Sequence, residues 1–136
     1  MPMRIAHTMY RVLDTNRSVD WYRQVFGWEI VRQTQLPDAL NTFIGPDAQS
    51  DVLELTMNHG RTEPYEMGEA YGHIAVEVPD LDALLERLER LEIRPERPPF
   101  TVREGGPRLC FIRDPDNYRI ELTEPKPPSA TPPGSR

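Results

Sequence analysis

Histidine and glutamate recur in this chain at matched positions, and together they carry the chemistry of a divalent-metal site. His7 sits in Ile5-Ala6-His7-Thr8-Met9-Tyr10-Arg11-Val12-Leu13-Asp14, and His73 in Tyr71-Gly72-His73-Ile74-Ala75-Val76-Glu77-Val78-Pro79-Asp80. In each stretch a valine follows the histidine by five residues and an aspartate by seven. Glu54, in Asp51-Val52-Leu53-Glu54-Leu55-Thr56, lies 47 positions after His7; Glu121, in Tyr118-Arg119-Ile120-Glu121-Leu122-Thr123, lies 48 after His73. Imidazole nitrogen and carboxylate oxygen are natural ligands of a divalent cation. A single strand histidine is usually structural, and a single strand glutamate usually faces water. Four such residues at repeated offsets point instead to a metal site built from a duplicated unit. His59 has no counterpart in the other copy and reads as a loop residue.

Strand parity says where the acids point. Side chains alternate across a strand, so Leu53 and Leu55 share one face, as do Ile120 and Leu122. Those apolar faces belong beneath helices. Glu54 and Glu121 then face the opposite, concave side, with Thr56, Asn58 and Thr123. A buried, unpaired carboxylate costs several kcal/mol, and a bound cation removes that penalty.

The elements that must hold these residues read in the same order twice. A strand over about 4–13 runs into Asp14, a helix N-cap, and Val19, Tyr22, Val25 and Phe26 give the following helix an apolar face before Gly27 stops it. Strands are expected at Trp28 to Arg32, Leu40 to Ile44 and Asp51 to Met57, separated by the turns at Pro37-Asp38 and Gly45-Pro46-Asp47. The second copy has a strand over 71–78, an N-cap at Asp80 and a leucine stripe (Leu81, Leu84, Leu85, Leu88, Leu91). A strand near Ile93 to Glu96, another over Arg108 to Arg113, the Asp114-Pro115-Asp116-Asn117 turn and a last strand over Tyr118 to Thr123 complete it. The expected fold is α+β: paired βαβββ modules forming curved, cup-shaped mixed sheets with the helices outside. The modules cover 1–60 and 70–124, joined by a polar connector over 61–69. Residues 125–136 hold five of the fifteen prolines and read as a disordered tail.

Composition narrows the function. At 136 residues, 38% apolar and 28% charged, the chain is ordinary globular material. Its net charge of −6, with no basic stripe, argues against nucleic acid as a partner. No apolar run approaches the roughly 18 residues of a membrane span. The single cysteine, Cys110, lies in an apolar strand and reads as an inert core side chain; its solitude suits a reducing cytoplasm.

Four strings carry a family likeness: His7-Thr8-Met9-Tyr10-Arg11-Val12, Leu53-Glu54-Leu55-Thr56-Met57-Asn58-His59-Gly60, Ala70-Tyr71-Gly72-His73-Ile74-Ala75, and Asp114-Pro115-Asp116-Asn117-Tyr118-Arg119-Ile120-Glu121-Leu122. With their spacing, they resemble glyoxalase I (lactoylglutathione lyase) of the vicinal oxygen chelate superfamily. The resemblance implies that His7, Glu54, His73 and Glu121 are the metal ligands. It also implies a homodimer with the metal site at the subunit interface. Arg11, Thr56 and Asn58 fall where the family grips the γ-glutamyl group of glutathione. The implied reaction isomerises the hemithioacetal of methylglyoxal and a thiol to a lactoyl thioester through an enediolate. Glu121 is then the principal base, with Glu54 its symmetry mate. The compact length resembles the class that prefers nickel or cobalt over zinc. His59 stands where the family usually has tryptophan, and Arg103-Glu104 where a lysine is common. Competing readings are another superfamily enzyme, an epimerase or dioxygenase, and a metal-free ligand-sequestering protein of the bleomycin-resistance type. The full set of four ligands argues against the last.

Overall fold

The computed structural model describes residues 1–126 of the 136. Ten elements follow in order: β1 (Thr8–Arg11), α1 (Thr15–Phe26), β2 (Glu29–Gln35), β3 (Ala39–Gly45), β4 (Leu53–Asn58), β5 (Ile74–Glu77), α2 (Leu81–Arg90), β6 (Phe100–Thr101), β7 (Arg108–Arg113) and β8 (Arg119–Thr123). The expected α+β pattern of βαβββ, twice over, is what the chain forms. Two mixed four-stranded sheets result, ordered β1-β4-β3-β2 and β5-β8-β7-β6.

By internal packing, the chain divides into two compact units. The first is Met1–Tyr71 with Asp114–Tyr118; the second is Gly72–Arg113 with the described residues from Arg119 onward. The turn between β7 and β8 thus packs with the first unit, although both of its flanking strands belong to the second.

Within the first unit, β1 pairs parallel with β4, setting Met9 beside Glu54 and Arg11 beside Thr56. Antiparallel β3 sets Phe43 beside Glu54 and Asn41 beside Thr56. One sheet face is apolar and closed: Tyr10, Ile44, Leu53 and Leu55 are at most 3% exposed. The helix α1 adds Val19, Tyr22 and Val25 to that core. Asp14 caps its N-terminus by accepting from Arg17 N–H, and Gly27 ends it at φ 72°, where a side chain would be strained. Register shifts between Ile30 and Arg32. This bulge in edge strand β2 brings Arg32 opposite Phe43. At the far end of β3, a Cβ on Gly45 would coincide with the Ser50 carbonyl, so no larger residue fits there.

The second unit repeats the scheme. Parallel β5 and antiparallel β7 flank β8, setting Ala75 and Phe111 on either side of Glu121. Ile112, Ile120, Leu122 and Leu88 are fully buried. Asp80 caps α2 through Ala83 N–H.

Several boundaries differ from the sequence reading. The strands expected over 4–13 and 71–78 shorten to four residues each; β1 and β5 are edge strands, each paired on one side only. His7 and His73 therefore stand one residue before their strands. The strand expected near Ile93 to Glu96 does not form, and the short strand is instead Phe100–Thr101, paired with Leu109 and Arg108. Pro95, Pro98 and Pro99 remove the ladder donors that an earlier strand would need. Glu96 N–H does reach the Phe111 carbonyl at 2.9 Å. The proline-rich tail lies, from residue 127, outside the described residues.

Candidate metal and substrate site

The register that buries Leu53 and Leu55 turns Glu54 to the other face, where its side chain is 14% exposed. His7 Nε2 comes to 3.7 Å from Glu54 Oε2. In the second unit, His73 Nε2 comes to 3.6 Å from Glu121 Oε1. These gaps exceed a hydrogen bond. They are short enough for both donors of a pair to reach one cation at the roughly 2.0–2.2 Å typical of imidazole and carboxylate ligands. The donor chemistry therefore fits a divalent metal. Each unit offers one such His–Glu pair; among the described residues no three His, Cys, Asp or Glu side chains gather around one point.

Each pair has the same supporting stack, which the sequence reading did not single out. The His7 ring meets Phe43 edge-on at 5.1 Å, and the Arg32 guanidinium lies 3.5 Å over that phenyl face. His73 meets Phe111 at 5.1 Å, with Arg119 3.6 Å over the ring. Arg32 is tethered by Asp51 and Arg119 by Glu96, each at 2.9 Å. A phenyl ring fixed by a guanidinium gives the imidazole a stiff wall. A signal was available: phenylalanine precedes the site glutamate by 11 residues in one copy and by 10 in the other.

The residues expected to grip a carboxylate also gather on the first unit's polar face. Arg11 Nη1 donates to Asn58 Oδ1 at 3.1 Å. Thr56 is 7% exposed and its hydroxyl donates to Asn41 Oδ1 at 3.1 Å. Arg11 and Asn58 form the accessible part of this group, with Thr56 holding the floor. His59 accepts from Gln35 Nε2 at 3.0 Å. Arg11 also lines a groove of about 400 Å³ with Tyr10, Tyr65, Met67, Tyr71 and Tyr118. There Tyr10 OH and Tyr71 OH share a 2.7 Å hydrogen bond, and burial together with that bond pushes the Tyr10 phenol far up. Cys110 is buried and its thiol is likewise pushed up by burial, which disfavours the reactive thiolate.

Paired βαβββ units, each presenting a histidine and a glutamate, define a class, and comparison with known families agrees. The chain belongs to the glyoxalase/bleomycin resistance protein/dioxygenase superfamily, whose family model matches residues 4–122. Within that class it is 39% identical over 128 residues to a lactoylglutathione lyase of Neisseria meningitidis, covering 91% of this chain and 92% of that protein. A lactoylglutathione lyase of Salmonella typhimurium is 38% identical, with 91% and 94% coverage. Among solved structures, the trypanothione-dependent glyoxalase I of Leishmania major superposes with a TM-score of 0.76 at 35% identity, covering 90% of this chain and 87% of that one.

Proposed function

We propose that this protein is a metal-dependent lactoylglutathione lyase that converts the hemithioacetal of methylglyoxal and glutathione to the lactoyl thioester. The observation that carries this reading is the pair of equivalent His–Glu groupings, at 3.7 and 3.6 Å, one in each unit. The similarity to lactoylglutathione lyases over nine-tenths of the chain supplies the substrate class.

His7 and Glu54 would hold the cation together with the partner subunit's His73 and the partner subunit's Glu121, which makes a homodimer the active species of this reading. When bound there, a divalent metal, nickel or cobalt in preference to zinc, would supply Lewis-acid stabilisation of developing negative charge. Glu121 takes the proton from C1 of the hemithioacetal, leaving an enediolate, and delivers it to C2. The C1 hydroxyl passes its proton to the C2 oxygen in the same isomerisation, so the C1 carbinol becomes the thioester carbonyl and the C2 ketone becomes the carbinol, with no net change in atoms or electrons. Glu54, its symmetry mate, serves the opposite face. Arg11 and Asn58 grip the carboxylate of the γ-glutamyl group through a charge-assisted hydrogen bond and its neutral neighbour. The reaction belongs to the cytoplasm, where glutathione is abundant.

Reconstitution tests the reading. Protein stripped with a chelator should be inactive toward methylglyoxal and glutathione, followed by thioester absorbance. Nickel or cobalt should restore turnover better than zinc or iron. Equal activity of the stripped protein would exclude a metal-dependent lyase.

A further inference from the structure

Arg11 lies in an edge strand, so its side chain alone does not fix its position. In β1, Thr8 N–H and Val12 N–H bond inward to the carbonyls of Val52 and Thr56. The alternation of a parallel ladder turns the Arg11 N–H and C=O outward, to the unpaired edge. Both groups are met by one hydroxyl. Tyr118 OH donates to the Arg11 carbonyl at 2.7 Å and accepts from Arg11 N–H at 3.2 Å.

That hydroxyl is itself held on several sides. Tyr118 is 8% exposed, and its ring stacks on Tyr10 with centroids 4.0 Å apart and planes 2° from parallel. Tyr71 meets it edge-on at 5.4 Å. The Tyr118 N–H donates to Asp114 Oδ1 at 2.9 Å, and Asp114 Oδ2 accepts from the buried Tyr22 OH at 2.7 Å. Asp116 extends the anchorage: it accepts from Leu13 N–H, Arg17 Nη2 and Ser18 Oγ. The strand end that bears Arg11 is thus bolted to the helix α1 and to the turn before β8.

We infer that Tyr118 is a positioning residue for Arg11: its hydroxyl fixes the edge strand so that the guanidinium meets the substrate carboxylate in one place. The inference rests on the role assigned to Arg11 above. An anchor released by even a fraction of an ångström spreads the guanidinium over many positions, which weakens carboxylate capture more than it slows proton transfer at a remote carbon.

The test uses full-length, metal-loaded protein. Tyr118→Phe keeps the stacked ring and removes only the hydroxyl. KM for the glutathione hemithioacetal should rise about 5- to 10-fold with kcat within about twofold. With cysteinylglycine as the thiol, which lacks the γ-glutamyl carboxylate, kcat/KM should be unchanged. An unaltered KM, or an equal loss with both thiols, would overturn the inference. Arg11→Met separates the two layers. If it leaves KM unchanged, the Arg11 reading fails and takes this one with it. If it raises KM while Tyr118→Phe does not, only the positioning role fails.

Discussion

At the scale of residues, two carboxylates of the same type are given equivalent surroundings by a repeated register. Glu54 lies between Met9 and Phe43, and Glu121 between Ala75 and Phe111. The differences across the strand are the bulk of Met9 against the methyl of Ala75, and Arg11 against Glu77 four residues after each histidine. A smaller neighbour leaves Glu121 more room to swing between ligand and base, consistent with its assignment to proton transfer. Glu121→Gln removes the base while keeping an oxygen donor and the side chain's size. General-base catalysis contributes about 10²–10⁴-fold, so turnover should fall at least ~100-fold while the metal, measured by equilibrium dialysis, stays largely bound. Near-normal turnover would refute the assignment. His7, Glu54, His73 and Glu121 were all legible as a repeat, because identical chemistry at identical offsets leaves a mark on the sequence. The phenylalanine walls left a weaker mark, and Tyr118 left none: its role depends on a contact 107 residues away.

At the scale of elements, the turn Asp114-Pro115-Asp116-Asn117 does more than reverse the chain. Asn117 adopts the left-handed φ of 73° that asparagine tolerates, as expected. Its two aspartates then accept hydrogen bonds from α1, from the chain just before it, and from the turn's own backbone. Burial pushes the Asp114 carboxyl up to about 6, against the opposing pull of the Tyr22 hydroxyl and the backbone amides. The folded protein therefore holds this proton more tightly than the unfolded chain, whose value is near 3.8. The contribution to stability is complete below about pH 4 and is lost as pH rises through about 6. Asp114→Asn keeps two amide acceptances at its oxygen and offers its NH₂ to Tyr22. It should flatten the stability profile from pH 4 to 7, read by urea unfolding; an unchanged slope would assign that dependence elsewhere. The helices were legible almost to the residue, because caps and apolar periodicity are local. The short strand of the second unit was misplaced, because pairing is decided by the partner strand and by three prolines.

At the scale of the whole molecule, the two His–Glu pairs lie in separate units, and the proposed site takes one pair from each of two chains. Mixing variants tests this. His7→Ala and His73→Ala chains should each be inactive as homodimers. Refolded together in equal amounts, half the dimers are mixed. Each mixed dimer carries one site with both histidines intact, so activity should recover to about a quarter of wild type, as two-fold symmetry requires. A site completed within one chain could not recover at all. Among the described residues no helix is long and apolar enough to cross a membrane.

The sequence alone determined the duplication, the two histidines and two glutamates at repeated offsets, the helices and the face on which each glutamate lies, since periodicity and capping act between near neighbours. Tertiary structure alone decided where the edge strands stop, which rings wall the imidazoles, and which tyrosine holds Arg11. Those depend on the register between distant strands and on hydrogen bonds from a turn to residues far off in sequence, and such contacts form only once the chain has folded.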